Sequence, residues 1–169
     1  MISKRVKQFY TNVTDFMSEE DYKYVKSILN DIEFDLFRKL LKSEQKHSVR
    51  IAREIEYIIN HELTDNNDIR INKNILVKSA LLHDIGKIRK KINVIDKSII
   101  VILNKLTKSN LRKFRKSAKI QCYYNHSEYS YEILKELTED ELLLYIVKNH
   151  HSNMEDEMIK FFQEIDDRN

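Results

Sequence analysis

The sequence predicts an all-α protein, and three observations carry the prediction. The 169 residues include no proline and one glycine, so the chain lacks the residues that hairpins and tight turns ordinarily require. Apolar side chains recur at three-to-four-residue spacing along almost its whole length. With 41 % hydrophobic and 34 % charged residues, the chain is too apolar for disorder and suits amphipathic helices around a core. A chain of this length buries roughly 70 % of its unfolded surface in one domain. A single compact helical bundle over residues 1–169 is therefore expected, with residues 1 to about 42 as a helical extension at the N-terminal end.

Ile2, Val6, Phe9, Val13 and Phe16 form the first helical stripe. Tyr22, Val25 and Leu29 form the second after Ser18, with Asp21 completing a cap. Phe34, Phe37 and Leu41 mark a third. Ser43 is placed to cap a longer helix through His47, Ile51, Ile55 and Ile58. Asn72 or Asn74 opens a helix that ends at His83, after which Gly86 of LLHDIGK offers a residue able to turn left-handed. Ile99 to Leu103 is β-branched enough for a strand, but no partner lies nearby and residues 96 to 107 are read as helix. Tyr123 to Leu137 reads as helix and Thr138-Glu-Asp-Glu141 as the capped start of the next. Asn153 with Glu155 and Asp156 opens the last.

The longest apolar run is Ile99-Ile100-Val101-Ile102-Leu103, against the roughly 20 residues that a spanning helix needs. No span, and no membrane partner, is expected. The start, MISKRVKQFYTNVTDF, lacks the apolar stretch and cleavage site of a secretory signal. Cys122 is the single cysteine, so no intramolecular disulfide is available and a reducing cytoplasmic setting is expected, with Cys122 as a packing residue.

Charge is uneven. Residues 1–86 carry about 0, residues 87–126 about +11 and residues 127–169 about −8, summing to the formal +3. The densest part, KLTKSNLRKFRKSAK from Lys105 to Lys119, holds no carboxylate and suits phosphate-rich ligands, nucleic acid among them. The alternative is a solvated basic face paired with the acidic C-terminal third.

The six histidines are His47, His61, His83, His126, His150 and His151, and all but His61 fall near apolar helical faces or helix ends. His47 continues the Ile51, Ile55 and Ile58 stripe, and His126 shares one with Ser130, Ile133 and Leu137. One such histidine is ordinarily a hydrogen-bonded core residue. Four or five of them, with the adjacent His83-Asp84 pair, point to a divalent transition metal, because imidazole and carboxylate are its usual ligands.

KHSVRIAR, LLHDIGK, NHSEYS, VKNHHSN and FFQEIDD together resemble the HD-domain superfamily of metal-dependent phosphohydrolases. Its pattern is an early His, a central His-Asp, further histidines and a late Asp. The resemblance runs from His47 to Asp166 and implies a single all-α HD domain. It implies a basic metal site of His47, His83, Asp84 and Asp166, extended to a second metal by His126 and His150. His151 is an alternative or additional ligand, since adjacent helix positions point about 100° apart. Asp166 is preferred to Asp167 because it borders the inner face of Met158, Phe161, Phe162 and Ile165.

The implied cofactor is one or two ions of Mn, Fe, Co, Ni or Zn, and the implied reaction is hydrolysis at phosphorus by metal-activated water. Asp84 would bridge the metals and orient the attacking water. Lys87, the lysine of HDIGK, is associated with substrate phosphate in related enzymes. Arg50, one turn after His47, is the second candidate for neutralising phosphoryl charge; its other reading is an ion pair with Asp84, Asp166 or Glu54. The expected substrate is a phosphorylated small molecule, a nucleotide by preference. The branch that cleaves cyclic dinucleotides adds a glycine-tyrosine-proline signature, which a proline-free chain lacks. In size and motif order the chain is more similar to small bacterial dinucleoside tetraphosphate hydrolases. The alternative function is a catalytically silent HD module that senses nucleotides or binds nucleic acid through Lys105 to Lys119.

Overall fold

A computed structural model describes residues 16–62, 69, 72–107, 110–114 and 116–169. Among them every regular element is helical. The order is α1 (Glu19–Ile28), α2 (Asp31–Phe37), α3 (Lys42–His61), α4 (Lys73–Leu82), a 3₁₀ turn (Ile85–Arg89), α5 (Val94–Leu106), a second 3₁₀ turn (Asn110–Lys113), α6 (Ala118–Leu134), α7 (Glu141–Asn149) and α8 (Glu157–Asp166). The expected all-α fold is the observed one. The stripe from Ile2 to Val13 lies outside the described residues.

Local capping chemistry sets several boundaries. Ser18 and Asp21 form the anticipated capping box of α1, with Ser18 Oγ accepting from Asp21 N–H at 3.1 Å and Asp21 Oδ2 accepting from Ser18 N–H at 3.0 Å. Asn30 with Glu33 and Asn93 with Asp96 cap α2 and α5 in the same way. The Asn93–Asp96 box starts the helix that carries the β-branched run Ile99 to Leu103.

Five expected boundaries are corrected. α2 stops at Phe37, and Leu41 becomes the N-cap of α3, so Ser43 lies inside that helix. The junction is held by Gln45, whose amide donates to the carbonyls of Leu40 and Arg38 at 2.9 and 3.1 Å. α6 starts at Ala118, capped by Ser117, and ends at Leu134, leaving Leu137 exposed. The last helix opens at Asp156, whose carboxylate accepts from Ile159 N–H at 2.9 Å, rather than at Asn153.

Helices α3, α4, α7 and α8 surround the main core, where Ile51, Ile55, Leu76, Leu81, Leu143, Ile146 and Phe162 are fully buried. Burying each such side chain contributes about 1.5–3 kcal/mol relative to exposure. α1 and α2 close this core with Val25 and Phe37. A smaller cluster of Ile92, Ile100, Leu111, Ile120 and Cys122 joins α5 to α6, so Cys122 is a packing residue as expected. The 3₁₀ turn after His83 rests on α6 and ties the two clusters together.

Gly86 is required there for a different reason from the one expected. Its φ is outside the left-handed region, but a Cβ at this position would lie 2.2 Å from the His126 carbonyl oxygen and 2.6 Å from the Ser130 nitrogen. Only glycine lets the two backbones approach this closely.

Candidate metal centre

Five elements deliver side chains to one place. His47 comes from the middle of α3, His83 and Asp84 from the end of α4, His126 from α6, His150 and His151 from the end of α7, and Asp166 from the last turn of α8. His83, Asp84, His126 and His150 are buried. His47 Nε2 lies 3.0 Å from Asp166 Oδ1, and His83 Nε2 is 4.0 Å from the same oxygen. Asp84 stands between two imidazoles, with Oδ2 at 3.3 Å from His83 Nε2 and Oδ1 at 3.3 Å from His126 Nε2. His126 and His151 bring their Nε2 atoms within 3.0 Å of each other.

The orientation of three rings is fixed by one repeated device. His83, His126 and His150 each place Nδ1 against the carbonyl three residues earlier, at Ala80, Tyr123 and Val147, over 2.8, 2.8 and 2.7 Å. A carbonyl only accepts, so each Nδ1 carries a proton; His126 and His150, kept neutral by burial, turn an Nε2 lone pair inward, whereas His83 Nε2 faces the Asp84 carboxylate and keeps a second proton until a cation displaces it. Metal-ligating histidines are oriented this way. His150 Nε2 is buried without a hydrogen-bond partner, an arrangement that costs free energy unless an electron-pair acceptor fills it.

Three groups bring one donor atom from each residue within 4.8 Å: His47, His83 and Asp166; His83, Asp84 and His150; and His126, His150 and His151. The donor set of imidazole nitrogen and carboxylate oxygen fits a divalent transition metal.

Electrostatics are divided across the centre. Burial pushes His126 down to about 3, aided by Lys87 and His151 against the pull of Asp84. Burial pushes His150 down as well, with the neighbouring histidines adding to it. His83 moves the other way: burial opposes its charge, but Asp84 and Asp166 prevail and raise it to about 9. Burial disfavours the Asp84 and Asp166 carboxylates, yet His83 and Lys87 hold the first well below the usual range, and a hydrogen bond from His47 with the charge of His83 does so for the second.

Lys87 reaches the centre from the 3₁₀ turn, its ammonium donating to Asp84 and, at 2.8 Å, to Glu44. Arg50 is placed differently: it is absent from the described cleft wall, and its guanidinium donates to the Asn169 carbonyl at 3.1 Å. His61, set apart in the sequence, is exposed and stacks on Tyr57.

Sequence reasoning missed two residues here. Glu44 precedes His47 by one helical turn, and that spacing on α3 is the signal that could have found it. Ser130 was read only as part of a stripe, but its hydroxyl accepts from Gly86 N–H at 2.8 Å and has the His83 and His126 carbonyls as acceptors at 2.6 and 2.8 Å. It clamps the His-Asp turn to α6.

Above the centre lies a cleft of about 490 Å³, floored by His47, Asp84, His126 and Asp166 and walled in part by Tyr123, Tyr124, Lys97 and Lys148.

Fold and site together define a helical domain with a buried histidine-aspartate centre of metal-binding chemistry. The chain belongs to the HD domain family, whose model matches residues 45–167. Members of this family are mostly metal-dependent phosphohydrolases. No curated protein and no solved structure gives a significant match to the chain. No helix among the described residues is long and apolar enough to cross a membrane.

Proposed function

We propose that the protein is a metal-dependent phosphohydrolase that cleaves a phosphoester or phosphoanhydride bond of a nucleotide. The observation that carries this reading is the convergence of five histidines and two aspartates from separate elements, with Lys87 beside them. A bound Mn, Fe, Co, Ni or Zn ion supplies Lewis acidity toward a phosphoryl oxygen and activates water near neutral pH.

The residues divide the work. His47, His83 and Asp166 would hold one cation, and His126, His150 and His151 would hold a second. Asp84, in contact with His83 of the first group and His126 of the second, would serve both and would orient the attacking water by accepting its hydrogen bond. Lys87 stabilises charge on the phosphoryl oxygens, and Glu44 keeps its ammonium at the cleft floor. The cleft has a volume usual for small-molecule sites, and its tyrosines and lysines offer surfaces for a base and for phosphate.

Purified protein supplemented with Mn²⁺ or Fe²⁺ is expected to release phosphate or a shortened nucleotide from a panel of phosphoesters and nucleotides. An Asp84→Ala variant is expected not to do so. Metal-loaded protein with no turnover across the panel, together with salt-sensitive retention of RNA, would instead support the silent binding module.

A further inference from the structure

Among the described residues, helix α5 is anchored on one side only. Ile100 is buried in the small core with Ile92, Leu111, Ile120 and Cys122, and Lys97 lines the cleft. The other side carries Ile95, Ile99, Ile102, Leu103 and Leu106, exposed by 66, 50, 58, 39 and 73 %. At about 100° per residue these five fall within an arc of about 100° over roughly 16 Å of helix. They form one aliphatic stripe rather than scattered exposed residues, and such patches mark interaction surfaces.

The surroundings of the stripe are basic. Lys105 stands on the helix flank about 110° from its centre, and Lys113 and Lys116 are exposed in the segment that follows, beside the exposed Phe114. Among the described residues no ion pair engages these three lysines. Among the described residues of the basic band, Arg89 reaches the acidic C-terminal third at Glu132 over 2.7 Å. Lys105, Lys113 and Lys116 are therefore placed to meet an outside partner.

We propose that this face of α5 docks on an anionic phospholipid surface, with the aliphatic stripe at the boundary of headgroups and acyl chains and the lysines among the phosphates. An in-plane amphipathic helix needs no run of spanning length, so the absence of such a run, which led the sequence reading to expect no membrane partner, does not bear on it. Nucleic acid fits less well, since single strands stack on aromatic side chains and five aliphatic ones offer no such platform. A protein partner fits less well because lysine is depleted at interface cores, where tyrosine, tryptophan and arginine anchor binding. Symmetric pairing of two copies would bring two strongly positive bands together. Lys97 projects about 180° from the stripe, so docking leaves the cleft open and does not depend on its chemistry.

The test is co-sedimentation of the full chain with vesicles of phosphatidylcholine alone and of phosphatidylcholine with added phosphatidylglycerol. Binding is expected only to the anionic vesicles and is expected to weaken as salt rises. Replacing Lys105, Lys113 and Lys116 with Gln should lower partitioning by about fivefold per lysine. The I99D/I102D variant should lose binding while keeping its helical circular dichroism, because both residues are exposed. Failure to sediment with either vesicle, or equal sedimentation with both, would overturn the proposal. So would a wild-type oligomer that I99D/I102D dissociates without any vesicle binding, or RNA retention that survives I99D/I102D in a chain that ignores vesicles.

Discussion

Asp84 lies against His83, His126 and Lys87, and these neighbours make its substitution informative. Asp84→Ala removes the carboxylate that faces His83 and His126 and leaves the buried Lys87 ammonium without one of its two counter-charges, so metal affinity should fall by more than about 100-fold and turnover should disappear. Metal analysis of the purified variant checks this, and full metal content would remove Asp84 from the proposed role. Lys87→Ala should lower kcat by about 100-fold at unchanged metal content. Glu44→Gln should lower it by about tenfold, because it loosens the ammonium without removing it, and Glu44→Asp should recover part of the loss. Steady-state kinetics on a single substrate separates these outcomes from a KM effect. His83 gives a pH prediction. Its pKa is raised to about 9, so it holds a proton at pH 7 that a cation must displace. Metal affinity should therefore climb with pH up to about 9, and calorimetry in two buffers of different ionisation enthalpy should detect the released proton.

At the scale of elements, the site depends on the contact between the 3₁₀ turn and α6. Ser130 supplies its hydrogen bonds and Gly86 its clearance. Gly86→Ala forces a methyl group into the His126 carbonyl and the Ser130 backbone, neither of which can rotate away. Destabilisation of ~3 kcal/mol or more is expected in denaturant unfolding, with metal affinity reduced because His83 and His126 are pushed apart. A Gly86→Ala protein with an unchanged unfolding midpoint would show that this packing is looser than the distances imply. Helix positions were legible in the sequence wherever an apolar stripe met a cap, as at Ser18 and Asp21. The starts of α3, α6 and α8 were misplaced. At α3 the boundary is decided by Gln45 reaching back to Leu40 and Arg38, a contact that no local propensity encodes.

For the whole molecule, the centre is a joint between elements far apart in the chain, so a bound metal ion cross-links α3, α4, α6, α7 and α8. Ligands that bind only the folded state stabilise it by mass action, about 2.7 kcal/mol at 100 times Kd. For a chain of this size that corresponds to a rise in Tm of about 5–10 °C. Thermal scans with Mn²⁺, Fe²⁺, Co²⁺, Ni²⁺ and Zn²⁺ against a chelator control test this, and the Asp84→Ala variant should show little of the rise. A wild-type Tm unmoved by all five metals would contradict a cation site built from these side chains.

The sequence by itself determined the helical class, through the absence of proline and the regular apolar spacing, and marked the His-Asp pair and its companion histidines as a group needing explanation. It also showed the basic band as a count of charges. Tertiary structure alone decided which atoms meet. His150 and His151 both reach the centre because α7 ends there, so that adjacent residues in a turn approach His126 from two directions. Arg50 turns to the Asn169 carbonyl while Glu44 engages Lys87. Only the packed structure reveals that one face of α5 stays exposed. The physical reason is that periodicity specifies which residues share a face, whereas what that face meets depends on the packing of segments distant in the chain.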